Sequence, residues 1–322
     1  MSVKINTDGI FHGQCETPVV FFIYNRPYLV EKTFASLRDA QPKQLLIVSD
    51  GPKNSAEDEL LVNESRRIVQ NIDWDCDVKH LFSSSNLGLR ERILTGLDEA
   101  FRFYHAAIIL EDDCMPAKDF FPFCEVLLSR YQNTDVGLVS GFNNGGIKSR
   151  SRKYFFSDFP EIWGWATWAE TWKEYREVEV KRDWSELELK SDINLLNSRI
   201  ARNRISRLAR SNLTLNSWDI EFAMHLIKKG KLTAIPNVNL ILNQGFGHDA
   251  THTKHQPPGL INKTGSLRIP LIEPKRISAR RFQHVREFMV LFLRSLYQIV
   301  RNPFIHIRTI TNFVREKLAS NT

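Results

Sequence analysis

Three carboxylates in a row, Glu111-Asp112-Asp113, stand directly after the apolar run Ala106–Leu110. Adjacent acids repel one another unless cations or hydrogen-bond donors balance them. A hard divalent cation, Mn2+ or Mg2+, held by one or two carboxylates together with phosphate oxygens of a substrate supplies that balance. As a Lewis acid it would offset the charge that builds on a leaving diphosphate. The competing reading is an acidic turn at the start of the helix near Pro116.

Other polar clusters follow other apolar runs. Asn25-Arg26-Pro27 comes after Val19–Tyr24, Asp50-Gly51-Pro52 after Gln44–Ser49, and Asn86-Leu87-Gly88-Leu89-Arg90 after Val78–Phe82. Asp50 reads either as a partner for a base or ribose or as the first residue of an Asp-Gly-Pro turn. Asn86 and Gly88 read as a turn into a helix, and Gly88 lets backbone approach a ligand closely. Arg26 and Arg90 suit phosphate contact by their planar forks, or are surface arginines. Asp219 in Ser217-Trp218-Asp219 reads equally as a general base or as a helix cap, with Glu221 and Asp158 as reserve bases. His248, His252 and His255 fall in a Gly/Thr/Pro-rich stretch without the helical HExxH spacing of a zinc site. Trp163 and Trp165 flank Gly164 and offer an indole to the C–H face of a sugar, while Trp165, Trp168 and Trp172 at helical spacing suit a core.

These clusters need a scaffold that gathers them. Val19–Tyr24, Gln44–Ser49, Val78–Phe82, Ala106–Leu110 and Val136–Ser140 are five strand candidates, and continuous apolar runs such as VVFFI fit strands buried on both faces. Helices are expected at Tyr28–Asp39, Ala56–Ile72, Leu89–Tyr104 and Ala117–Tyr131 between them. The alternation predicts an α/β fold, a Rossmann-like mostly parallel sheet flanked by helices, with right-handed crossovers. Ligands of such sheets bind at the carboxyl ends of strands, which is where all four clusters stand. Farther on, a loop or hairpin is expected over Asn143–Phe156, helices at Trp163–Glu174, Asn194–Arg210 and Asp219–Lys229, and strands at Leu232–Ile235 and Val238–Leu242.

The 322 residues carry a net charge of +7, unevenly spread. From Lys275 onward there are ten Lys/Arg against two Asp/Glu, whereas the residues before it are nearly balanced. A near-neutral body argues against nucleic acid as a partner, and the basic tail suggests an anionic one. Cys15, Cys76, Cys114 and Cys124 form no CxxC pair and are expected as free thiols. Met1–Cys15 lacks the apolar core of a signal peptide, and Phe288–Val300 is too short to span a bilayer, so a cytoplasmic location is expected. In the tail, Val285, Phe288, Met289, Phe292, Leu296, Ile299 and Val300 recur at helical spacing. That helix either lies on the inner face of an anionic membrane or packs on the domain.

The runs VFFIYNRP, LLIVSDGP, SSSNLGLRERILTGL, IILEDDC, EIWGWATW, SWDIEF and GFGHDATHT resemble the A-type (GT-A) glycosyltransferase fold. The resemblance is to bacterial family 2-like transferases, and the chain is also similar to N-acetylglucosaminyltransferase I. It covers roughly Pro18–Thr253. It implies a domain at 1–274 with a nucleotide-binding part at about 18–141 and an acceptor part at about 142–274, while the residue pattern itself gives the basic helical extension at 275–322. It further implies an inverting, metal-dependent transfer from a nucleoside-diphosphate sugar, UDP-sugar favoured, to a hydroxyl of a glycan or lipid-linked acceptor in surface-polysaccharide or lipopolysaccharide synthesis. On this resemblance Asp113 binds the metal, Asp112 lies near the ribose, Glu111 near the donor sugar, Asp50 at the base, and Asp219 is the general base. Asn25, Arg26, Asn86, Gly88 and Arg90 complete the donor site. Trp163, Trp165, Trp218 and His248 are placed at the substrate, and His252 at the metal. Two alternatives stand beside it: a sugar-nucleotidyltransferase, which usually opens with a Gly-rich phosphate loop where this chain has YNRPYLV, and a catalytically inactive membrane-associated scaffold.

Overall fold

The computed structural model describes residues 14–143, 153–179, 217–246 and 263–267, with the single positions 271, 274, 277 and 278. Four strands, β1 (Val19–Ile23), β2 (Gln44–Ser49), β3 (Asp77–Phe82) and β4 (Ala106–Glu111), are joined by α1 (Pro27–Ala40), α2 (Ala56–Ile68) and α3 (Leu89–Phe103). They lie in the order β3-β2-β1-β4, all parallel. Local chemistry sets the helix ends. Pro27 opens α1, where its fixed φ suits the helix and its missing N–H is not needed. Ser55 caps α2 by accepting the Asp58 N–H at 3.1 Å. Glu57, Asp58 and Glu59 then occupy the first turn of α2 and Arg66 and Arg67 its last, as the helix dipole favours.

The two faces of the strands feed two separate cores. Val19, Phe21, Ile23, Leu45, Ile47, Ile108 and Leu110 pack with Phe34 and Leu37 of α1. The alternate residues Val20, Phe22, Leu46, Val48, Ala107 and Ile109 pack with Ile93, Leu97 and Phe101 of α3. This is why β1 and β4 read as unbroken apolar runs: every position on such a strand meets a core. Each large aliphatic side chain fully buried there contributes about 1.5–3 kcal/mol.

After β4 the topology changes. The chain adds β5 (Cys114–Pro116), α4 (Phe120–Arg130), β6 (Val136–Ser140), β7 (Tyr154–Ser157), β8 (Trp165–Trp168), α5 (Ala169–Glu179), α6 (Trp218–Lys228), β9 (Leu232–Pro236) and β10 (Ile241–Asn243). The main sheet has eight strands in the order β3-β2-β1-β4-β8-β6-β9-β7, and β10 pairs with β5 in a separate antiparallel ribbon. The expected mostly parallel sheet flanked by helices is therefore present, but β6 does not sit beside β4. Strand β8 is inserted between them, antiparallel to both.

That strand corrects the helix expected from Trp163. Trp165 belongs to the core of α3 and α6, Trp168 to the opposite core against α4, so the two indoles point to opposite faces. A strand buried on both sides is apolar at nearly every position, here with Thr167 donating its hydroxyl to the Gly137 carbonyl, and spacing alone does not tell it from a buried helix. Of Val238–Leu242 only the end is a strand, because its partner is the three-residue β5. Strands β5 and β7 were not expected. The helices expected at Asn194–Arg210 and in the tail beyond Arg280 lie outside the described residues. Among the described residues no helix is long and apolar enough to cross a membrane.

Candidate active site

The carboxyl ends of β1, β2 and β4 and the loop after β3 surround a cavity of about 440 Å3. Its walls include Asn25, Arg26, Asp50, Asn86, Gly88, Glu111 and Asp112, so seven residues singled out in the sequence meet at one place. Tyr24, Lys53 and Arg92 also line it and were not anticipated.

Asp50 is buried at the end of β2 and ties that end to the start of α3. Its Oδ1 accepts the N–H groups of Gly51 and Leu87, each at 2.9 Å, and its Oδ2 that of Gly88 at 3.0 Å. Gly88 adopts φ 82°, a left-handed conformation that glycine reaches without strain. At Gly51 a Cβ would stand 2.4 Å from the Ser85 carbonyl carbon, so only glycine lets the two loops touch. Arg66 closes the arrangement from behind, donating to the carbonyls of Asp50 (2.9 Å) and Ser83 (2.6 Å).

A second network sets the mouth of β1. Asp58 accepts the Tyr24 hydroxyl and the Asn25 amide, each at 2.6 Å, and the Lys53 N–H at 2.6 Å. Burial alone would raise the Asp58 pKa, but these three donors outweigh it and hold the carboxyl below its usual value. The Tyr24 phenol is pushed upward, first by burial and then by Asp58. The Asn86 amide donates to the Gly51 carbonyl (2.8 Å) and to the Tyr24 oxygen (3.1 Å), joining the two networks. No sequence motif announces Asp58: an acid in the first turn of a helix reads as a dipole partner. Arg92 is buried against the cavity and donates to the Leu81 carbonyl at 3.2 Å, while its Nε has no partner among the described residues.

Of the acidic triplet, Glu111 and Asp112 line the cavity, while Asp113 is not part of its lining. Arg26 spans Asp112 and Asp113: its Nη2 and Nε meet the two oxygens of Asp112, and Nη1 lies 3.0 Å from Asp113 Oδ2. Burial, then repulsion from Asp113 and Asp112, pushes the Glu111 pKa up to about 8, with Asp219 adding to the push and Arg26 opposing it. Asp112 is pushed up to about 6 by burial, with Arg26 holding it down. The Asp113 backbone is fixed by the Gln244 N–H at 2.9 Å, and a Cβ on Gly245 would stand 2.2 Å from Asp113 Oδ2. Among the described residues no group of three or more His, Cys, Asp or Glu is arranged around a metal position. The donor set is one of hard carboxylate oxygens with surplus negative charge, which fits a divalent ion that takes its remaining ligands from phosphate and water.

The remaining sequence candidates are dispersed. Asp219 lies in the first turn of α6, accepts a hydrogen bond from the Ser217 hydroxyl, and is near enough to raise Glu111. Arg90 does not line the cavity: its Nη2 pairs with Glu221 at 2.8 Å, which also occupies the first reserve base. Asp158 follows β7, the edge strand farthest from β3, and because β7 runs antiparallel to β9 it stands at the amino ends of the parallel strands, so the second reserve base is remote from the cavity. Trp165 and Trp218 are buried and stack on each other with ring centroids 6.1 Å apart. Trp163 is half-buried beside the carboxyl end of β4 and packs on Phe142 and Phe246. His248 and His252 lie outside the described residues.

No protein-family model and no curated protein matches the chain. Solved structures similar to parts of it include the following two. One is 4-diphosphocytidyl-2C-methyl-D-erythritol synthase from Anaerococcus prevotii: 9% identical, TM-score 0.32, covering 54% of this chain and 81% of that one. The other is UDP-glucose pyrophosphorylase in complex with UDP-glucose: 12% identical, TM-score 0.28, covering 49% of this chain and 78% of that one. Likenesses of this size assign neither substrate nor reaction to the chain.

Proposed function

We propose that the protein is an inverting, GT-A-type glycosyltransferase that uses a nucleoside-diphosphate sugar, with UDP-sugar the favoured donor. The observation that carries this reading is the convergence of Asn25, Arg26, Asp50, Asn86, Glu111 and Asp112 on one cavity, with the charge of Asp219, in a later helix, adding to the push on Glu111. The cavity is large enough for a nucleotide. Arg92 offers a buried guanidinium whose Nε suits a carbonyl of the base. Asp50 supports the base site by fixing the Gly88 turn, and Asn25 and Asn86 present polar edges to the ribose.

Asp113 would hold Mn2+ or Mg2+, which when bound would neutralise charge on the departing diphosphate. Asp219 accepts the proton of the acceptor hydroxyl. The acceptor oxygen then forms its bond to the anomeric carbon as the bond to the diphosphate oxygen breaks on the opposite face, inverting the centre. Gly245, beside Asp113, precedes His248 by three residues, which supports a role for His248 or His252 at the diphosphate. The acceptor is a glycan or a lipid-linked glycan, and the basic tail supports a membrane surface as its location.

A second reading is nucleotidyl transfer from a nucleoside triphosphate to a sugar phosphate. Arg26 favours it, because it sets a cation at the end of β1 where a triphosphate needs one. The test is thermal unfolding against UDP-, GDP-, dTDP- and CMP-sugars with and without Mn2+, followed by product analysis. A ligand at 100 times its Kd stabilises the native state by about 2.7 kcal/mol. A Mn2+-dependent shift with one sugar nucleotide and release of nucleoside diphosphate support glycosyl transfer. Release of pyrophosphate from a triphosphate and a sugar phosphate would replace it with the second reading, and no shift with any nucleotide would leave the scaffold alternative.

A further inference from the structure

The Asp112-Asp113 pair already has a cation. Arg26 meets both oxygens of Asp112 with Nε and Nη2, and reaches Asp113 Oδ2 with Nη1 at 3.0 Å. Both partners are held from behind. The Arg26 carbonyl accepts the N–H groups of Leu29 (2.9 Å) and Val30 (3.0 Å) in the first turn of α1. The Asp112 carbonyl accepts the Thr33 hydroxyl at 2.7 Å, and the Asp113 carbonyl accepts the Gln244 N–H. The backbones are thus fixed while the guanidinium ends a long side chain with several rotatable bonds. A divalent ion on Asp113 would share the carboxylate whose Oδ2 Arg26 Nη1 approaches, and two cations that close repel each other. A diphosphate offers the guanidinium an equivalent planar, bidentate partner.

We propose that Arg26 is the resident counter-cation of the acidic pair and competes with the divalent ion. The metal then binds weakly to the protein alone and tightly once a nucleoside diphosphate draws the guanidinium away. By linkage, nucleotide and metal strengthen each other's binding by the same factor, about 5- to 150-fold in typical cases. The inference rests on the metal reading of Asp113 given above, and it makes Arg26 the residue that sets the order of binding.

The experiment is Mn2+ titration of the full chain, followed by the electron paramagnetic resonance of free Mn2+, with and without UDP. It is run on the wild type, Arg26→Met, Arg26→Lys and Arg26→Met with Asp113→Asn. The wild type is expected to bind Mn2+ about tenfold or more tighter with UDP than without. Arg26→Met is expected to bind Mn2+ more tightly than the wild type without UDP, to gain less than the wild type on adding it, and to lose its UDP-free binding when Asp113→Asn is added. Arg26→Lys, which keeps the charge but loses the fork, should fall between the two, and it carries the comparison if Arg26→Met does not fold. If Mn2+ affinity is the same in every Arg26 variant while UDP still strengthens it, the competition is overturned and the metal reading stands. If no form binds Mn2+ even with UDP, both fall.

Discussion

Asp50 shows how a residue named for ligand contact also has a structural task. Its carboxylate accepts three backbone N–H groups inside the protein, and hydrogen bonds to a charged group contribute about 1.5–3 kcal/mol each. Asp50→Ala is expected to lower the urea-derived unfolding free energy by about 3 kcal/mol or more, well beyond a surface substitution. Glu125 is a second buried acid, far from the cavity: its Oε1 accepts the N–H groups of Glu16 (2.6 Å) and Thr17 (2.8 Å). Burial raises its pKa, and those N–H groups only partly offset the rise. An acid whose folded pKa exceeds its unfolded value of about 4.3 favours folding when protonated, so its contribution fades as pH climbs through the folded value. Glu125→Gln keeps the acceptor without the charge. Its melting temperature should match the wild type near pH 4 and gain on it as pH rises above the unfolded value; a constant difference over that rise would show that burial of the charge does not matter.

At the scale of elements, the cavity exists because loops from separate crossovers touch. Gly51, at the end of β2, meets the backbone of Ser85 after β3 at distances no Cβ tolerates. Gly51→Ala must push these loops apart, and overpacking of this kind costs about 1–3 kcal/mol. Because Asn86 also bonds to the Gly51 carbonyl, the same substitution is expected to weaken nucleotide binding more than it weakens the fold. Calorimetric Kd values beside urea midpoints separate the two effects. The motif Asp-Gly-Pro foretold a turn here, but not what lies opposite it. That close approach is between residues 34 positions apart, and no local pattern encodes it.

At the scale of the molecule, the two halves of the sheet are stitched by β8 and by contacts between α3 and α6. Trp165, Trp172 and Tyr175 pack on Phe222 with centroids 5.2–5.4 Å apart, and the Arg90–Glu221 pair crosses beside them. Tyr175 adds its hydroxyl to Glu221 at 3.3 Å. A double-mutant cycle of Arg90→Ala and Glu221→Ala should show a coupling of about 1–3 kcal/mol in unfolding free energy, since contacting residues do not add. A value near zero would mean that α6, and with it Asp219, is held by the aromatic cluster alone.

The chain's own order of residues determined the α/β alternation, the four parallel strands and the polar clusters at their carboxyl ends. Those features are written in local patterns: unbroken apolar runs for strands buried twice, Pro27 and Ser55 at helix starts, and Gly-containing turns. Tertiary structure alone decided that β8 lies antiparallel between β4 and β6, because a run buried on both faces has the same apolar content in either conformation. It also decided the partners of the charges. Arg26 meets Asp112 and Asp113, Arg90 meets Glu221, and Asp58 meets Tyr24 and Asn25, all across long stretches of sequence. A charged side chain reveals its type in the sequence, but its partner is chosen by which strand ends and helix starts the sheet brings together.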